Sequence, residues 1–227
     1  MNGHAFTFAD AALVALPSGA LWWADQGLLC VSDLHLGKSE RMARRGGPML
    51  PPYEVLETLD RLSADIAATG AAHVLCLGDS FDDLAAARDM DPMLTDRLSS
   101  LIAGRQWTWI EGNHDPGPVD LGGTHRAALT LGGLTFRHIA TPGAHAEISG
   151  HYHPKARLSV RGRTLSRRCF LLDAKRLILP AFGTYTGGLF CDRPELSGLM
   201  GADAQAILLG NPPRCIPMPR PDNRPPR

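Results

Sequence analysis

Three short apolar runs, at residues 28–32, 73–77 and 106–110, alternate with two segments of helical period. In the first segment Val55, Leu56, Leu59, Leu62 and Ile66 recur at three and four, with Pro52 as opener and Gly70 as stop. In the second, over 91–103, Pro92 sits in the first turn, Leu94, Leu98, Leu101 and Ile102 share a face, and Gly104 closes it. Residues 28–111 therefore spell β-α-β-α-β, which demands parallel strands joined by crossover helices and excludes an all-helical or hairpin-only fold. A meander at 12–16 and 20–23, punctuated by Pro17-Ser18-Gly19 and Asp25-Gln26-Gly27, leads into it.

After residue 126 the pattern changes. Strand-like runs at 127–131, 134–137, 147–149, 157–160, 163–172 and 176–179 are separated by turn residues, so few helices are needed. A helix-covered, partly parallel sheet followed by a mostly antiparallel one predicts an α/β fold with two sheets face to face and helices outside. At 227 residues one domain is expected, over 1–210. Residues 211–227 hold seven prolines and four arginines, and a disordered or extended tail is expected there.

Twenty-three basic and twenty-three acidic residues cancel, so any binding of nucleic acid must be local. No run approaches the roughly 18 apolar residues of a membrane span, and the start lacks a secretory signal's layout. Five cysteines without paired spacing read as reduced thiols, and a cytoplasmic protein without membrane partners is expected.

Metal-binding residue types gather where the strands end. The run at 28–32 leads into Asp33-Leu34-His35, the run at 73–77 into Gly78-Asp79, and the run at 106–110 into Glu111-Gly112-Asn113-His114-Asp115. The crevice beyond the carboxyl ends of parallel strands is where ligands bind, so these fragments are expected to converge. Later runs add His138 and Gly150-His151-Tyr152-His153, and alternation along an extended segment would aim His151 and His153 at one site. Asp-x-His or Gly-Asp alone is ordinary turn chemistry, but five of the nine histidines fall in this set. Carboxylate, imidazole and amide donors without thiolate suit two divalent ions, Mn²⁺, Fe²⁺ or Zn²⁺.

Asp33-x-His35, Gly78-Asp79-x-x-Asp82, Gly112-Asn113-His114-Asp115, His138 and Gly150-His151-x-His153 resemble the motif set of the calcineurin-like metallophosphoesterases. Three further stretches, at 33–38, 150–155 and 177–189, resemble the bacterial ligase-associated DNA-damage-response endonucleases. The resemblance implies a four-layer α/β/β/α sandwich with two packed mixed sheets and a dinuclear site, most often manganese. It implies that Asp33, His35 and His153 hold one ion, Asn113, His138 and His151 the other, and that Asp79 bridges them. By the same resemblance His114 is catalytic without being a ligand, and a DNA ligase or helicase is an expected repair partner.

Two such ions would lower the pKa of bound water and neutralise phosphate oxygens, and His114 would protonate the leaving oxygen. Asp115 is expected either to orient that imidazole or to cap a turn. Asp82 reads as support for a ligand histidine or as a solvated acid. Lys38, Arg41, Arg44 and Arg45 follow the first ligand pair, and Lys155, Arg157, Arg161, Arg163, Arg167 and Arg168 follow the last, as flanks for a polyanion. Tyr152, Tyr185 and Phe182 are candidate stacking residues, with core packing favoured for Phe182. The expected function is a DNA endonuclease acting on single-stranded or damaged DNA. The alternatives are a small-molecule phosphodiesterase or nucleotide-sugar pyrophosphatase on the same site, and a non-catalytic interaction module.

Overall fold

The computed structural model describes residues 2–47, 50–117, 120–160 and 162–221, without the side chain of Val160. Seven strands build the first sheet in chain order: β1 (His4–Phe8), β2 (Ala11–Ala15), β3 (Leu21–Trp23), β4 (Leu28–Val31), β5 (His73–Leu77), β6 (Gln106–Ile110) and β7 (Thr124–Arg126). β1 to β4 pair antiparallel, whereas β4 to β7 pair parallel. The crossovers carry α1 (Lys38–Arg44) and α2 (Glu54–Thr69), then α3 (Leu84–Arg88) and α4 (Pro92–Ile102). Register aligns Val31 with Cys76 and Leu77 with Ile110, so three strands stop at one edge.

The second sheet contains β8 (Ala128–Leu131), β9 (Leu134–Arg137), β10 (Glu147–Ser149), β11 (Lys155–Val160), β12 (Arg163–Leu172), β13 (Arg176–Ile178), β14 (Gln205–Leu208) and β15 (Arg214–Pro217). Its order is β15-β14-β12-β13-β10-β9-β8, with β11 off this path, paired to β12 and bridged at Lys155 to Phe190. β10 is parallel to both neighbours and the remaining pairs are antiparallel, so this sheet too is mixed.

Side-chain alternation divides the core into three apolar layers. Val74 and Cys76 face α2 and α4 with Leu59, Leu62, Ile66 and Leu98. Leu75 and Leu77 face the second sheet, meeting Phe136, Ile148 and Phe170. Cys169, Leu171 and Ile178 face outward, under Leu196 of α5 (Pro194–Ser197) and Met200. β4 and β5 are buried along their whole length, as strands covered on both faces must be. Two packed mixed sheets with helices outside result.

The principal helices and strands follow the sequence pattern. Asp91 caps α4, its carboxylate accepting from Met93 N–H at 2.8 Å. The sequence pattern does not announce helices α1, α3 and α5 or strands β1, β7, β14 and β15. Alpha1 buries only Ser39, so its sequence offers no apolar stripe to read.

The tail expectation is corrected over 214–221. Arg214–Pro217 pairs antiparallel with β14, Met218 is buried, and the Arg220 guanidinium donates to the carbonyls of Ser197, Met200 and Gly201. The prolines fit there because an edge strand tolerates them, and β14 supplies backbone partners that no count of apolar residues within the tail reveals. Residues 222–227 lie outside the described part. Among the described residues no helix is long and apolar enough to cross a membrane.

Candidate metal centre

Every ligand-type residue expected from the sequence emerges at one edge of the two sheets. β4 delivers Asp33 and His35, β5 Asp79, β6 Asn113 and His114, β9 His138, and β10 His151 and His153. Asp33, His35, Asp79, His151 and His153 all have φ between 46° and 70°, five of the eight described non-glycine residues with positive φ. Left-handed backbone is costly for side chains with a Cβ and persists only where surroundings enforce it. Here Asp33 N–H donates to the Gly78 carbonyl and His35 N–H to the Asp79 carbonyl, tying the loops together. Strand alternation therefore does not aim His151 and His153. Their kinked backbone sends them to different clusters.

The motif glycines leave room for this crowding. A Cβ on Gly78 would overlap the His138 ring, one on Gly112 the Asp79 backbone nitrogen, and one on Gly150 the Ser32 hydroxyl. Residues 182–188, within the third stretch of family resemblance, brace the same loops. Phe182 N–H donates to the Ser32 carbonyl at 2.7 Å and Gly183 N–H to that of Asp33 at 3.1 Å.

Ring nitrogens divide the donors into two groups. Nδ1–H of His35 donates to Asp82 Oδ1 at 2.9 Å, which turns the Nε2 lone pair inward. That Nε2 lies 3.4 Å from His153 Nε2, which is itself 3.1 Å from Asp33 Oδ1. Nδ1–H of His138 donates to the Leu77 carbonyl at 3.0 Å, so its Nε2 faces Asn113 Oδ1 at 3.0 Å, Asp79 Oδ2 at 3.3 Å and His151 Nδ1 at 3.3 Å. Asp79 Oδ2 is also 3.9 Å from His35 Nε2 and stands between the groups. Acceptors that face one another away from water repel unless a positive charge lies among them. Asp33, His35 and His153, and likewise Asp79, His138 and His151, offer ligand atoms within 4.8 Å of one another, and His114 forms a third such group with His35 and Asp79. Nitrogen and oxygen donors without sulfur fit a divalent ion in each of the first two groups.

Both carboxylates are held ionised. Burial would raise Asp79, but the hydrogen bond and charge that His138 supplies when its Nε2 is protonated, together with the His114 N–H, bring it down to about 2. For Asp33, burial is outweighed by His153, His138 and the Ser32 hydroxyl, and its pKa lies below the usual carboxylate range.

His114 N–H donates to Asp79 Oδ1 at 2.9 Å, and His114 Nδ1–H donates to the Asp82 carbonyl at 2.9 Å, leaving Nε2 free of protein partners among the described hydrogen bonds. Asp115 does not touch that imidazole. Its carboxylate instead accepts backbone N–H groups of Asp79, Ser80, Phe81 and Gly112 at 2.8–3.2 Å, which corrects the expectation that it orients His114. Burial, with the Asp79 charge adding, pushes the Asp115 pKa up to about 6 against those N–H bonds. Asp82, left open by the sequence, is wholly buried and holds both His35 and His114. Its three-residue spacing from Asp79 was the available signal.

The first basic flank turns inward. Arg41 Nη1 donates to Asp82 Oδ2 at 2.7 Å, Lys38 Nζ is 3.8 Å from Asp82 Oδ1, and Arg44 donates to Asp83 at 2.9 Å. Arg45 is exposed. In the second flank, Arg168 donates to the carbonyls of Ala181 and Gly183, while Arg157 stacks 4.1 Å over the Phe190 ring. Arg161 lies outside the described residues. Phe182 is core, Tyr185 is half-buried, and Tyr152 meets the His151 ring edge-on at 5.1 Å. An open cleft of about 310 Å³, lined by Asn113, Pro116, Arg137, His138 and Ile139, leads from the second group.

The sequence model of the calcineurin-like phosphoesterases matches residues 28–170. Among solved structures, the crystal structure of a Pseudomonas putida nuclease, MPE, is similar with a TM-score of 0.73 at 27% identity, over 93% of this chain and 100% of that one. No curated protein matches.

Proposed function

Because the chain belongs to the calcineurin-like phosphoesterase family, and is thereby a metal-dependent hydrolase, we propose that it cuts DNA phosphodiester bonds internally, in DNA repair. The observation that carries the reading is the pair of inward-facing donor groups sharing Asp79 Oδ2. Asp33, His35 and His153 would hold one divalent ion and Asn113, His138 and His151 the other, with Asp79 between them and Mn²⁺ the native metal. When bound, such a pair activates water at neutral pH and neutralises phosphate oxygens.

The remaining work falls to the chain's own side chains. With Nδ1 donating to the Asp82 carbonyl, His114 carries any transferable proton on Nε2 and delivers it to the leaving oxygen. Asp82 fixes the His35 ring, and Arg41 and Lys38 keep that carboxylate ionised. Likeness to a nuclease supports a polynucleotide substrate, and resemblance to the ligase-associated group supports DNA and a repair partner. Metal-stripped protein reloaded with Mn²⁺ should cut circular single-stranded DNA, and chelator should abolish cutting. Hydrolysis of a nucleotide-sugar pyrophosphate with DNA left intact would instead select the small-molecule alternative.

A further inference from the structure

Ala181, Phe182 and Gly183 follow β13 and have no polar side chain with which to hold a neighbouring loop. Their peptide groups make the contacts. Phe182 N–H donates to the Ser32 carbonyl and Gly183 N–H to that of Asp33, and a Cβ on Gly183 would overlap the Leu34 carbonyl, so the two backbones lie directly against each other. On the far side of the same peptide groups stand two guanidiniums. Arg168 of β12 donates to the Ala181 carbonyl at 2.9 Å and to that of Gly183 at 3.2 Å. Arg61 of α2 donates to the Phe182 carbonyl, with its Cζ 4.7 Å from the centre of the Phe182 ring.

Each arginine is therefore joined to the Asp33 loop by one peptide group. Arg168 acts through the carbonyl of 181 and the N–H of 182 on Ser32, and Arg61 through the carbonyl of 182 and the N–H of 183 on Asp33. A charged donor on a carbonyl polarises the peptide and strengthens the hydrogen bond that its N–H makes. The arrangement is costly. Burial lowers the pKa of both guanidiniums, and the Arg61 charge lowers that of Arg168 further. Among the described residues Arg168 has no carboxylate at ion-pair distance, and Arg61 has only the exposed Glu57 at 3.5 Å. Packing alone would be served by apolar side chains of the same length. At the other end of the relay Asp33 is wholly buried at φ 54°, a left-handed conformation that its surroundings must impose.

We infer that Arg61 and Arg168 are positioning residues for the first metal group, holding the Asp33 backbone in its ligating pose through the 181–182 and 182–183 peptide groups. The inference rests on the metal-centre reading above, in which Asp33 binds an ion with His35 and His153. Neither arginine touches a ligand side chain. Each acts through main chain, from an element far from Asp33 in the sequence.

Amide hydrogen exchange of the full chain in chelator, read residue by residue by NMR, tests the relay without any metal. Arg61→Gln should speed exchange of the Gly183 amide about tenfold and that of Phe182 much less, and Arg168→Gln should do the reverse. General loosening of the segment would speed both amides alike in both variants. If a Gln variant does not fold, Arg61→Lys and Arg168→Lys, which keep the charge but lose the planar fork, should give the same crossed pattern at smaller size. Calorimetry with Mn²⁺ then reads the consequence: affinity for one of two ions should fall about tenfold or more in each Gln variant while the other holds. Equal acceleration of both amides, unchanged exchange, or two ions bound as tightly as by wild type overturns the assignment. A crossed exchange pattern in a protein whose wild type binds no Mn²⁺ would remove the metal-centre reading and leave the two arginines as holders of the Asp33 backbone.

Discussion

The main-chain carbonyl of Asp82 accepts a hydrogen bond from His114 Nδ1 at 2.9 Å. The carboxylate of the same residue accepts from His35 Nδ1, also at 2.9 Å, so one buried position sets two imidazoles by two different groups. The backbone bond survives a side-chain change, and the two functions are separable. Asp82→Asn should lower metal affinity about 10- to 100-fold, the usual cost of losing a partner that orients a ligand histidine, while turnover at saturating metal falls much less. Titration calorimetry and a metal-dependent rate curve measure both. Unaltered affinity would refute the role of the carboxylate.

His114 and Asp79 should separate chemistry from metal binding. His114→Ala keeps every proposed ligand and removes the proton on Nε2, so two metals should remain and turnover should drop about 10²- to 10⁴-fold. Asp79→Asn removes the shared charge between the groups, and metal content and turnover should fall together. Elemental analysis of dialysed protein decides, and a metal-free His114→Ala would place that residue among the ligands.

Much of the centre is legible because strand ends are legible. The apolar runs that become β4, β5 and β6 stop at one edge, and the residues that follow them have no other place to go. What the sequence could not show is orientation. His151 and His153 read as neighbours on an extended strand, yet φ values of 70° and 46° part them into separate groups. Asp115 stands beside His114 in the chain but serves the backbone of 79–81, and Arg41 reads as a free cation until folding sets it against Asp82. These are contacts across 34 to 41 residues, set by loop geometry that no periodicity encodes.

Metal affinity should fall as pH falls. A ligand imidazole must be neutral, and protons compete with metal below its pKa. Burial opposes protonation of His138, but the Asp79 hydrogen bond and the Asp33 and Asp79 charges outweigh it and raise the pKa, so competition there begins at higher pH than for an ordinary histidine. Asp79, held at about 2, contributes nothing to the loss above pH 4. Calorimetry in buffers of different ionisation heat should show proton release on Mn²⁺ binding near neutrality, decreasing toward pH 9. Affinity independent of pH between 6 and 8 would exclude histidine ligation.

Gly150 offers the sharpest test of how the loops are stacked. Its position faces the Ser32 hydroxyl and Asp33 Oδ2, and an added Cβ would overlap both. Ser32 itself donates to Asp33 Oδ2 at 2.5 Å, and His151 N–H donates to the same oxygen at 3.0 Å, so that carboxylate has little freedom to withdraw. Overpacking of this kind costs about 1–3 kcal/mol when the surroundings shift to relieve it. Because the shift must move Asp33 or the 150–153 loop, stability and metal binding should fall together in Gly150→Ala. In Gly133→Ala, where nothing lies within 4 Å, backbone strain at φ 82° should lower stability alone. Thermal unfolding with and without Mn²⁺ distinguishes them: the stabilisation by metal should shrink for the first variant and stay at the wild-type value for the second. A Gly150→Ala protein stabilised by metal as strongly as wild type would mean that the loops are not packed as tightly as these contacts require.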